Sequence, residues 1–324
     1  MKFNSIYALQ IEQYIAFKRN LGFKIKSDEY VFIQFDRLVC DRKETTIGIS
    51  KELSDAWCEK HPNESEGTKH DRISKLSLFS RYLCNMGYPS YIPDIPKYKS
   101  SFVPYIFTKD EIILFFAACD KFKPDKISAD SFHYAIPTFF RLLYGTGLRL
   151  GEAISLLDKD VNIEEKYIII RNSKNGTERI VPLSNSVAEA CHYYKILREE
   201  KNKGTASNLF FRNNNNAACR QESIYRVFRE ILRVAGISYK GKGYGPRTHD
   251  LRHTFVCHSL ASMAESGMDL YLSLPVLATY IGHRTIESTE KYVRLTAEMY
   301  PGLLKNVEDH CSYVFPSINL KESL

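Results

Sequence analysis

Residues 281–292 read Ile-Gly-His-Arg-Thr-Ile-Glu-Ser-Thr-Glu-Lys-Tyr, and this stretch decides how the rest of the chain is interpreted. Upstream of it lie His-Asp-Leu-Arg-His at 249–253 and Thr-Gly-Leu-Arg-Leu-Gly-Glu at 146–152. Together the three stretches supply arginines, histidines and one tyrosine, Tyr292, in a defined order along the chain. Such a set can bind a phosphodiester through the arginines and attack it with the phenol, without a metal ion.

The chemistry of such a set follows from the properties of each side chain. A tyrosine phenol has a pKa near 10, so its attack on phosphorus needs a partner that takes or shares the proton. Guanidinium groups bind phosphate through two hydrogen bonds and stay charged, which makes Arg149 and Arg252 the candidates for holding it. Negative charge builds on the non-bridging oxygens in the transition state, where fixed donors help most. The departing 5′ oxygen needs a proton from a lysine or a histidine.

Each motif also has a plain structural interpretation. Arg149 follows a glycine turn at a predicted helix start, where it could equally be a surface arginine paired with Glu152. His249 and Arg252 are three residues apart and share a helix face, as expected for two ligands of one phosphate. The spacing of His249 and His253 also matches zinc-binding helices. Against a metal site, an aspartate stands where such helices carry glutamate, and Arg252 would place positive charge beside the ion.

The remaining candidates lie at predicted turns. Lys174 directly precedes an Asn-Gly pair, a strong hairpin signal, and a lysine at such a tip is ordinarily solvated. It becomes important only where the hairpin folds over a site. His283 follows Gly282, a glycine that lets the backbone turn at a helix end. Tyr292 lies nine residues further on, on a short amphipathic helix, and by itself it would be read as a core residue.

Apolar periodicity predicts helices through the first part of the chain. Apolar stripes cover 5–19, 31–39 and 73–86, and a further helix is expected over 51–59 around Trp57. These segments indicate a bundle of four or five helices. Residues 89–104 carry four prolines and are predicted to be an extended linker.

The second part of the chain predicts more helices and one hairpin. A capping box opens a helix at Thr108 and Glu111, and Thr248 is predicted to cap another. The expected helices are 108–121, 131–144, one starting near Arg149, 185–201, 221–235, 249–264, 274–281 and 287–299. The expected strands are 167–171 and 178–183. The predicted fold is therefore mainly α with a small β-sheet, an α+β class.

Bulk composition sets broad limits on the function. The chain has 324 residues, 44% of them hydrophobic, which is enough for two domains with buried cores. Its net charge of +7 suits a polyanionic partner, although a solvated basic surface would give the same value. The eight cysteines include no Cys-x-x-Cys pair. With no signal peptide and no run of apolar residues that could span a bilayer, a reduced, cytoplasmic location and no membrane association are expected.

The ordered motifs resemble those of the tyrosine recombinase (phage integrase) family. The catalytic domain of that family carries an Arg in T-G-x-R-x-x-E, a Lys in a β-hairpin, H-x-x-R, and then G-H with a Tyr nine residues later. Each motif alone is weak, but the ordered set is specific and covers roughly residues 105–300. The matching positions are Arg149, Lys174, His249, Arg252, His283 and Tyr292.

The resemblance implies a role for each matching residue. Tyr292 would be the nucleophile that forms a 3′-phosphotyrosine, and Lys174 would protonate the 5′ oxygen. Arg149 and Arg252 would clamp the scissile phosphate. The supporting roles fall to His249 in proton transfer, His283 in hydrogen bonding to the phosphate, and Glu152 in orienting an arginine. No cofactor is implied, neither a metal ion nor ATP, because the covalent bond conserves the phosphodiester energy.

The resemblance also implies a domain organisation. Residues 1–88 would form a helical DNA core-binding domain, 89–104 a linker, and 105–324 the catalytic domain with a tail at about 301–324. In the linker, Lys97 and Lys99 would lie along a DNA backbone. The chain departs from the family pattern in two places. Arg294 stands where the family often has a histidine, and residues 269–275 are an apparent insertion before the Gly-His pair.

The implied function is a site-specific recombinase that integrates or excises a mobile element. Its partners would be duplex DNA and three further copies of the chain, as a homotetramer on two DNA sites whose tails dock on neighbours. An accessory DNA-bending protein is a further candidate partner. Three alternatives remain at this point: a type IB topoisomerase-like enzyme that relaxes supercoils, a catalytically silent DNA-binding protein of the same fold, and a metal-dependent hydrolase.

Overall fold

The structure, a computed structural model, describes residues 3–23, 25–98, 102–123, 132–171, 176, 178–201, 207–241, 245–283 and 285–299. The predicted hairpin lysine Lys174, the linker residue Lys99 and the tail 301–324 lie outside these residues. The chain divides into two compact units, Met1–Phe102 and Val103–Leu324, and the division falls within the proline-rich segment. No helix of the described residues is long and apolar enough to cross a bilayer.

The described part of the first unit is built from four helices. They are α1 (Ala8–Asn20), α2 (Lys26–Asp41), α3 (Lys51–Cys58) and α4 (Glu66–Asn85). Serine hydroxyls cap two of them, because Ser50 accepts from the backbone of Leu53 and Ser65 accepts from Thr68. Edge-to-face aromatic rings fill the core between the helices, among them Tyr7, Tyr14, Phe32, Phe35, Trp57 and Phe79.

The second unit combines helices with a small sheet. Its described helices are α5 (Lys109–Lys121), α6 (Ile136–Thr146), α7 (Leu150–Ile154), α8 (Asn185–Lys201), α9 (Gln221–Val234), α10 (Asp250–Glu265), α11 (Leu270–Ile281) and α12 (Glu287–Met299). Its described strands are β1 (Val161–Asn162), β2 (Tyr167–Ile170) and β3 (Arg179–Pro182), which form one antiparallel sheet in that order. Arg179 pairs with Ile170, so the loop predicted to carry Lys174 joins these two residues.

Helix α6 is the centre of this unit. It packs against α5, α8 and α10, and apolar side chains are buried on several of its faces, including Phe139, Phe140, Leu142 and Leu143. A second, smaller core lies between α10, α11 and α12. Since the ends of α6, α10 and α11 carry the motifs of the sequence, packing these helices together brings the candidate residues to one place.

Most helix predictions are confirmed, and two details of this region are wrong. The capping box of Thr108 and Glu111 is present at the start of α5. Thr248, however, does not cap α10, because the N-cap position falls on His249 and no side-chain oxygen caps it. Helix α11 begins at Leu270 rather than 274, because the Asp269 carboxylate accepts from the backbone of Leu272 and the helix continues through Pro275. The short strand β1 was not predicted.

Candidate active site

The C-terminal end of α11 organises the site. Gly282 lies directly after the helix with φ +70°, a left-handed conformation that glycine adopts without steric cost. Its backbone N–H donates to Thr279 at 3.1 Å, and that of His283 donates to Ala278 at 2.9 Å. These are the two hydrogen bonds of a Schellman helix end. They leave the carbonyl groups of Tyr280, Ile281 and Gly282 without partners from the helix itself.

Three arginines from three different elements satisfy these carbonyl groups. A helix C-terminus carries partial negative charge, so cations bind there favourably. Each carbonyl oxygen accepts from a different guanidinium: Tyr280 from Arg179 Nε at 3.0 Å, Ile281 from Arg252 Nη2 at 2.8 Å and Gly282 from Arg149 Nη2 at 3.0 Å. The Gly-His motif thus forms the base of an arginine cluster that brings positive charge to one side of the unit.

Arg252 is the most deeply buried of the three, with 2% of its surface exposed. Besides Ile281, its guanidinium donates to the carbonyl of Gly147 at 2.5 Å, and it thereby joins the end of α6 to the end of α11. Burial and the neighbouring Arg149 lower the pKa of Arg252 to about 10, so the group stays charged at neutral pH.

Glu152 balances part of this charge. Its carboxylate accepts from Arg149 through the backbone N–H at 3.0 Å and Nη1 at 2.9 Å, and from Arg179 through Nη2 at 2.8 Å and Nη1 at 3.2 Å. Burial alone would raise the pKa of Glu152, but the hydrogen bonds and charges of Arg179 and Arg149 outweigh it and hold the pKa below its usual value. With Arg252 included, three guanidinium groups and one carboxylate leave this cluster with a net charge of +2.

Two histidines flank the arginines. His283 Nδ1 lies 2.8 Å from the Thr289 hydroxyl, and burial, followed by the charge of Arg252, lowers the pKa of His283 to about 4. His283 is therefore neutral at pH 7, and when Nδ1 accepts the Thr289 proton, Nε2 carries the N–H donor. His249, at the start of α10, is exposed, and its ring centre lies 4.8 Å from that of His253.

Tyr292 is buried next to this cluster, with 1% of its surface exposed. Its ring packs in the core between α10, α11 and α12, and its centre lies 6.3 Å from the ring of His283. Burial raises the pKa of Tyr292 to about 12, so the phenol is protonated. A phosphodiester cannot reach an oxygen enclosed in this way. The phenol must therefore become exposed before it can act as a nucleophile.

Sequence reasoning missed the group that touches the phenol. Tyr292 Oη lies 2.5 Å from His253 Nδ1. Burial, and next the neighbouring His249, lower the pKa of His253 to about 3, so His253 is neutral and Nδ1 accepts the phenol proton. Its spacing from His249 was visible in the sequence, but only as a metal-site signal. Among the described residues, no group of three or more His, Cys, Asp or Glu side chains could hold a metal ion.

Arg179 was missed as well, because it stood in the sequence only as part of a predicted strand. Of the predicted residues, the structure gathers Arg149, Glu152, Arg252, His283 and Tyr292, with His249 at the edge. Lys97 is an exposed residue of the first unit.

The burial of His253 predicts acid sensitivity of the second unit. Between pH 6.5 and the folded-state pKa of about 3, the unfolded chain binds a proton at this histidine that the folded chain does not. Stability therefore falls as the pH is lowered, by about 2 kcal/mol between pH 6.5 and 5 from His253 alone. Urea unfolding at pH 7 and 5 gives the free energy of unfolding of the wild type and of His253→Asn. The difference between the two pH dependences is the contribution of His253. Replacement of His192, which is exposed, serves as the control for loss of a histidine that is not buried.

The turn at Gly282 predicts an effect of adding one methyl group. A Cβ at this position would lie 2.9 Å from Arg179 Nη1, a nitrogen that the contact with Glu152 holds in place. Gly282→Ala should therefore displace the guanidinium and slow the DNA cleavage that the sequence resemblance implies, besides the conformational cost of about 1–2 kcal/mol for alanine at positive φ. The matched control is Gly236→Ala, since Gly236 has φ +71° and a Cβ added there would have nothing within 4 Å. Equal loss of activity in both variants would contradict the prediction.

Residues 106–299 match the model of the "Phage integrase family". A putative integrase/recombinase, y4rB of Sinorhizobium fredii, is 27% identical over 308 residues, which are 94% of this chain and 98% of the relative. Tyrosine recombinase XerD of Staphylococcus epidermidis is 28% identical over 229 residues, 69% of this chain and 70% of its own length.

Solved structures share the fold at lower sequence identity. The Tn1549 transposon integrase in complex with transposon right end DNA is 20% identical with a TM-score of 0.63, over 90% of this chain and 98% of that one. A lambda integrase dimer bound to a COC′ core site is 15% identical with a TM-score of 0.61, over 87% and 93%. The mainly helical architecture with a small sheet is therefore that of the tyrosine recombinase structures.

Proposed function

The chain belongs to the phage integrase family of tyrosine recombinases, and from this membership we propose that it cuts and rejoins duplex DNA at specific sites through a 3′-phosphotyrosine on Tyr292. One observation carries the proposal: the guanidinium groups of Arg149 and Arg252 meet at the end of α11, beside the ring of His283, which stacks on Tyr292. A cation cluster next to a tyrosine suits phosphoryl transfer to an oxygen nucleophile.

Charge supports phosphodiester as the substrate. A phosphodiester carries one negative charge, and its five-coordinate transition state carries two. The cluster of Arg149, Arg179, Arg252 and Glu152 has a net charge of +2, so it matches the transition state better than the ground state. Because the groups are held by backbone carbonyls, little reorganisation is needed as the charge develops.

The proposed cleavage step balances without a co-substrate. The Oη–H bond of Tyr292 breaks, Oη bonds to phosphorus, and the bond from phosphorus to the 5′ oxygen breaks. His249 assists proton transfer by accepting the phenol proton, and Lys174 delivers a proton to the 5′ oxygen. Strand rejoining is the reverse attack by a 5′ hydroxyl, which releases Tyr292. One phosphate ester replaces another in each direction, so no ATP is consumed.

The first unit and the linker are proposed to bind DNA. In this proposal residues 1–88 form the core-binding domain, and 105–324 the catalytic domain. Lys97 and Lys99 lie in the linker between these two domains and contact DNA phosphates. The affinity for DNA should therefore decrease steeply with salt concentration. In this proposal the protein acts on DNA in the cytoplasm.

Integration or excision of a mobile element is the proposed biological role. Two similarities support it: the full-length relative y4rB is named as a putative integrase/recombinase, and the Tn1549 transposon integrase shares the fold. Joining two duplexes requires four strand cuts, so a homotetramer on two sites is proposed, with the tail 301–324 docked on a neighbouring copy. An accessory DNA-bending protein would assist where the two sites lie close together.

The test is covalent trapping on DNA taken from the flanks of the gene and nicked near the candidate junction. A protease-sensitive adduct on the 3′ side of the break, formed equally with and without a chelator, is expected. Paired sites should then give exchanged strands, whereas products that are only relaxed circles would indicate a topoisomerase-like activity. Salt-sensitive binding to a substrate that is recombined in vivo, without any adduct, would contradict the proposal and indicate a catalytically silent DNA-binding protein.

A further inference from the structure

The hydrogen bonds of Arg179 are made to other groups of the candidate active site. It is the first residue of β3, and its side chain is 8% exposed. Three of its five N–H groups point into the protein: Nε donates to the carbonyl of Tyr280 at 3.0 Å, and Nη1 and Nη2 donate to Glu152 at 3.2 and 2.8 Å. A side chain that is buried and bonded in this way has little surface left to offer to DNA.

The carboxylate of Glu152 accepts hydrogen bonds from two arginines. Oε1 accepts from a guanidinium nitrogen of Arg149 and from one of Arg179, and Oε2 accepts from the backbone of Arg149 and from Arg179. The side chain of Glu152 is 5% exposed, so its charge cannot be screened by water and needs a cation. Arg179 supplies that cation through a bidentate contact, the strongest geometry for such a pair.

The consequence falls on Arg149, the more exposed of the two arginines, with 20% of its side chain accessible. Arg149 already donates to Glu152 at 2.9 Å, and if it were the only partner, the two charges would cancel and the carboxylate would attract more of the hydrogen bonds of its guanidinium. With Arg179 present, the pair of arginines exceeds the single carboxylate by one charge. That excess charge can act on DNA through Arg149, because Arg149 is the more exposed of the two and its Nη2 is anchored on the carbonyl of Gly282.

We propose that Arg179 is a positioning residue of the phosphate site, which neutralises Glu152 and holds the last turn of α11 so that Arg149 keeps both its charge and its orientation for DNA. This inference rests on the proposed function, because it assigns Arg149 to the scissile phosphate. It adds a residue that the ordered motifs did not indicate as functional.

The decisive measurement is the single-turnover cleavage rate constant at saturating DNA, together with the Kd for the same DNA. Arg179→Gln should lower the rate constant by about 100-fold, comparable to the loss of one transition-state donor, and change Kd little. Adding Glu152→Gln to the same chain removes the uncompensated carboxylate. The double variant should recover about 10-fold of the rate, since no carboxylate at position 152 then competes with the phosphate for Arg149.

Arg171 provides the matched control on the same hairpin. It also binds carboxylates, those of Asp160 and Glu178, but its side chain is 40% exposed and neither carboxylate contacts Arg149. Arg171→Gln should cleave at the wild-type rate. Melting temperatures of all variants show whether the folded fraction is the same, and rate constants are compared per folded molecule.

The possible results distinguish the positioning role of Arg179 from the proposed function of the chain. A wild-type adduct with unchanged cleavage by Arg179→Gln would refute the positioning role and leave the proposed function standing. A double variant as slow as Arg179→Gln, with both variants melting lower, would reduce Arg179 to a structural ion pair and also refute it. No adduct with the wild-type protein on a substrate recombined in vivo would overturn the proposed function, and the inference with it.

Discussion

Replacement of Tyr292 with phenylalanine is expected to abolish the covalent protein–DNA adduct, with no residual cleavage above background. The nucleophilic oxygen is removed, and no neighbouring group can take over an attack that requires the oxygen at the phosphorus. The ring stays in the core between α10, α11 and α12, so the hydrogen bond lost among the described residues is that to His253. That loss costs about 0.5–1.5 kcal/mol. Adducts on nicked DNA are measured by gel electrophoresis after denaturation, and binding by gel shift.

The chain offers a control of the same chemical kind. Tyr144 Oη lies 2.9 Å from His258 Nδ1, so it is a second tyrosine bonded to a histidine of α10. Tyr144→Phe should retain the adduct and lose a similar amount of stability. An adduct formed by Tyr292→Phe at the wild-type level would mean that another tyrosine is the nucleophile. Peptide mapping of the trapped complex would then identify it.

Substitution of Arg252 is expected to have the next largest effect, on catalysis and stability together. Its guanidinium donates to two backbone carbonyl groups, that of Gly147 at the end of α6 and that of Ile281 at the end of α11. Arg252→Ala leaves both buried carbonyl groups without this partner, at a cost of about 2 kcal/mol or more. Cleavage should fall by about 10²–10³-fold or more, the range seen when a fixed transition-state donor is removed.

Arg252→Lys separates the charge from the geometry. An ammonium group keeps the positive charge but cannot bridge two carbonyl groups and a phosphate as a planar guanidinium does. The lysine variant should therefore remain folded better than the alanine variant and still cleave poorly. Single-turnover rates and urea unfolding measure the two effects separately.

Arg198 is the matched control for a buried arginine. Its side chain is 4% exposed and donates to the carbonyl of Phe210 and to Asp158, without any described contact to the arginine cluster. Arg198→Lys should lower stability but not the cleavage rate of the folded fraction. If both lysine variants lose cleavage only in proportion to unfolding, Arg252 has no role in the chemistry.

Tyr292 is enclosed in this structure and therefore out of reach of a phosphodiester. In the free protein the phenol is enclosed, neutral and bonded to His253, so the cation cluster is formed before the nucleophile is available. Under the proposed function, a preformed cluster with a sequestered phenol would prevent attack on unpaired DNA sites. Binding of DNA would have to supply the free energy for exposing Tyr292.

Local sequence was sufficient to predict most of the elements and to single out several of the residues that the structure brings together. Apolar periodicity predicted the helices, because burying one face of a helix imposes a regular spacing that needs no knowledge of the partner. Gly282 marked the end of α11, since a left-handed residue at that point is a local requirement. The spacing of Arg149 and Glu152 on one helical turn indicated that the two side chains could pair, and the orienting role of Glu152 came from the family resemblance.

Arg179 and His253 could be recognised only in three dimensions. Arg179 is 27 residues from Glu152 and 101 from Tyr280, and His253 is 39 residues from Tyr292. No local pattern encodes such contacts, because each depends on how separate helices and a strand pack against one another. The chain sequence therefore specified which groups were available and where each element would end. The packing of α6, α10, α11 and β3 decided which carbonyl each arginine would meet and which histidine would hold the phenol, since hydrogen bonds require atoms within about 3 Å whatever their distance along the chain.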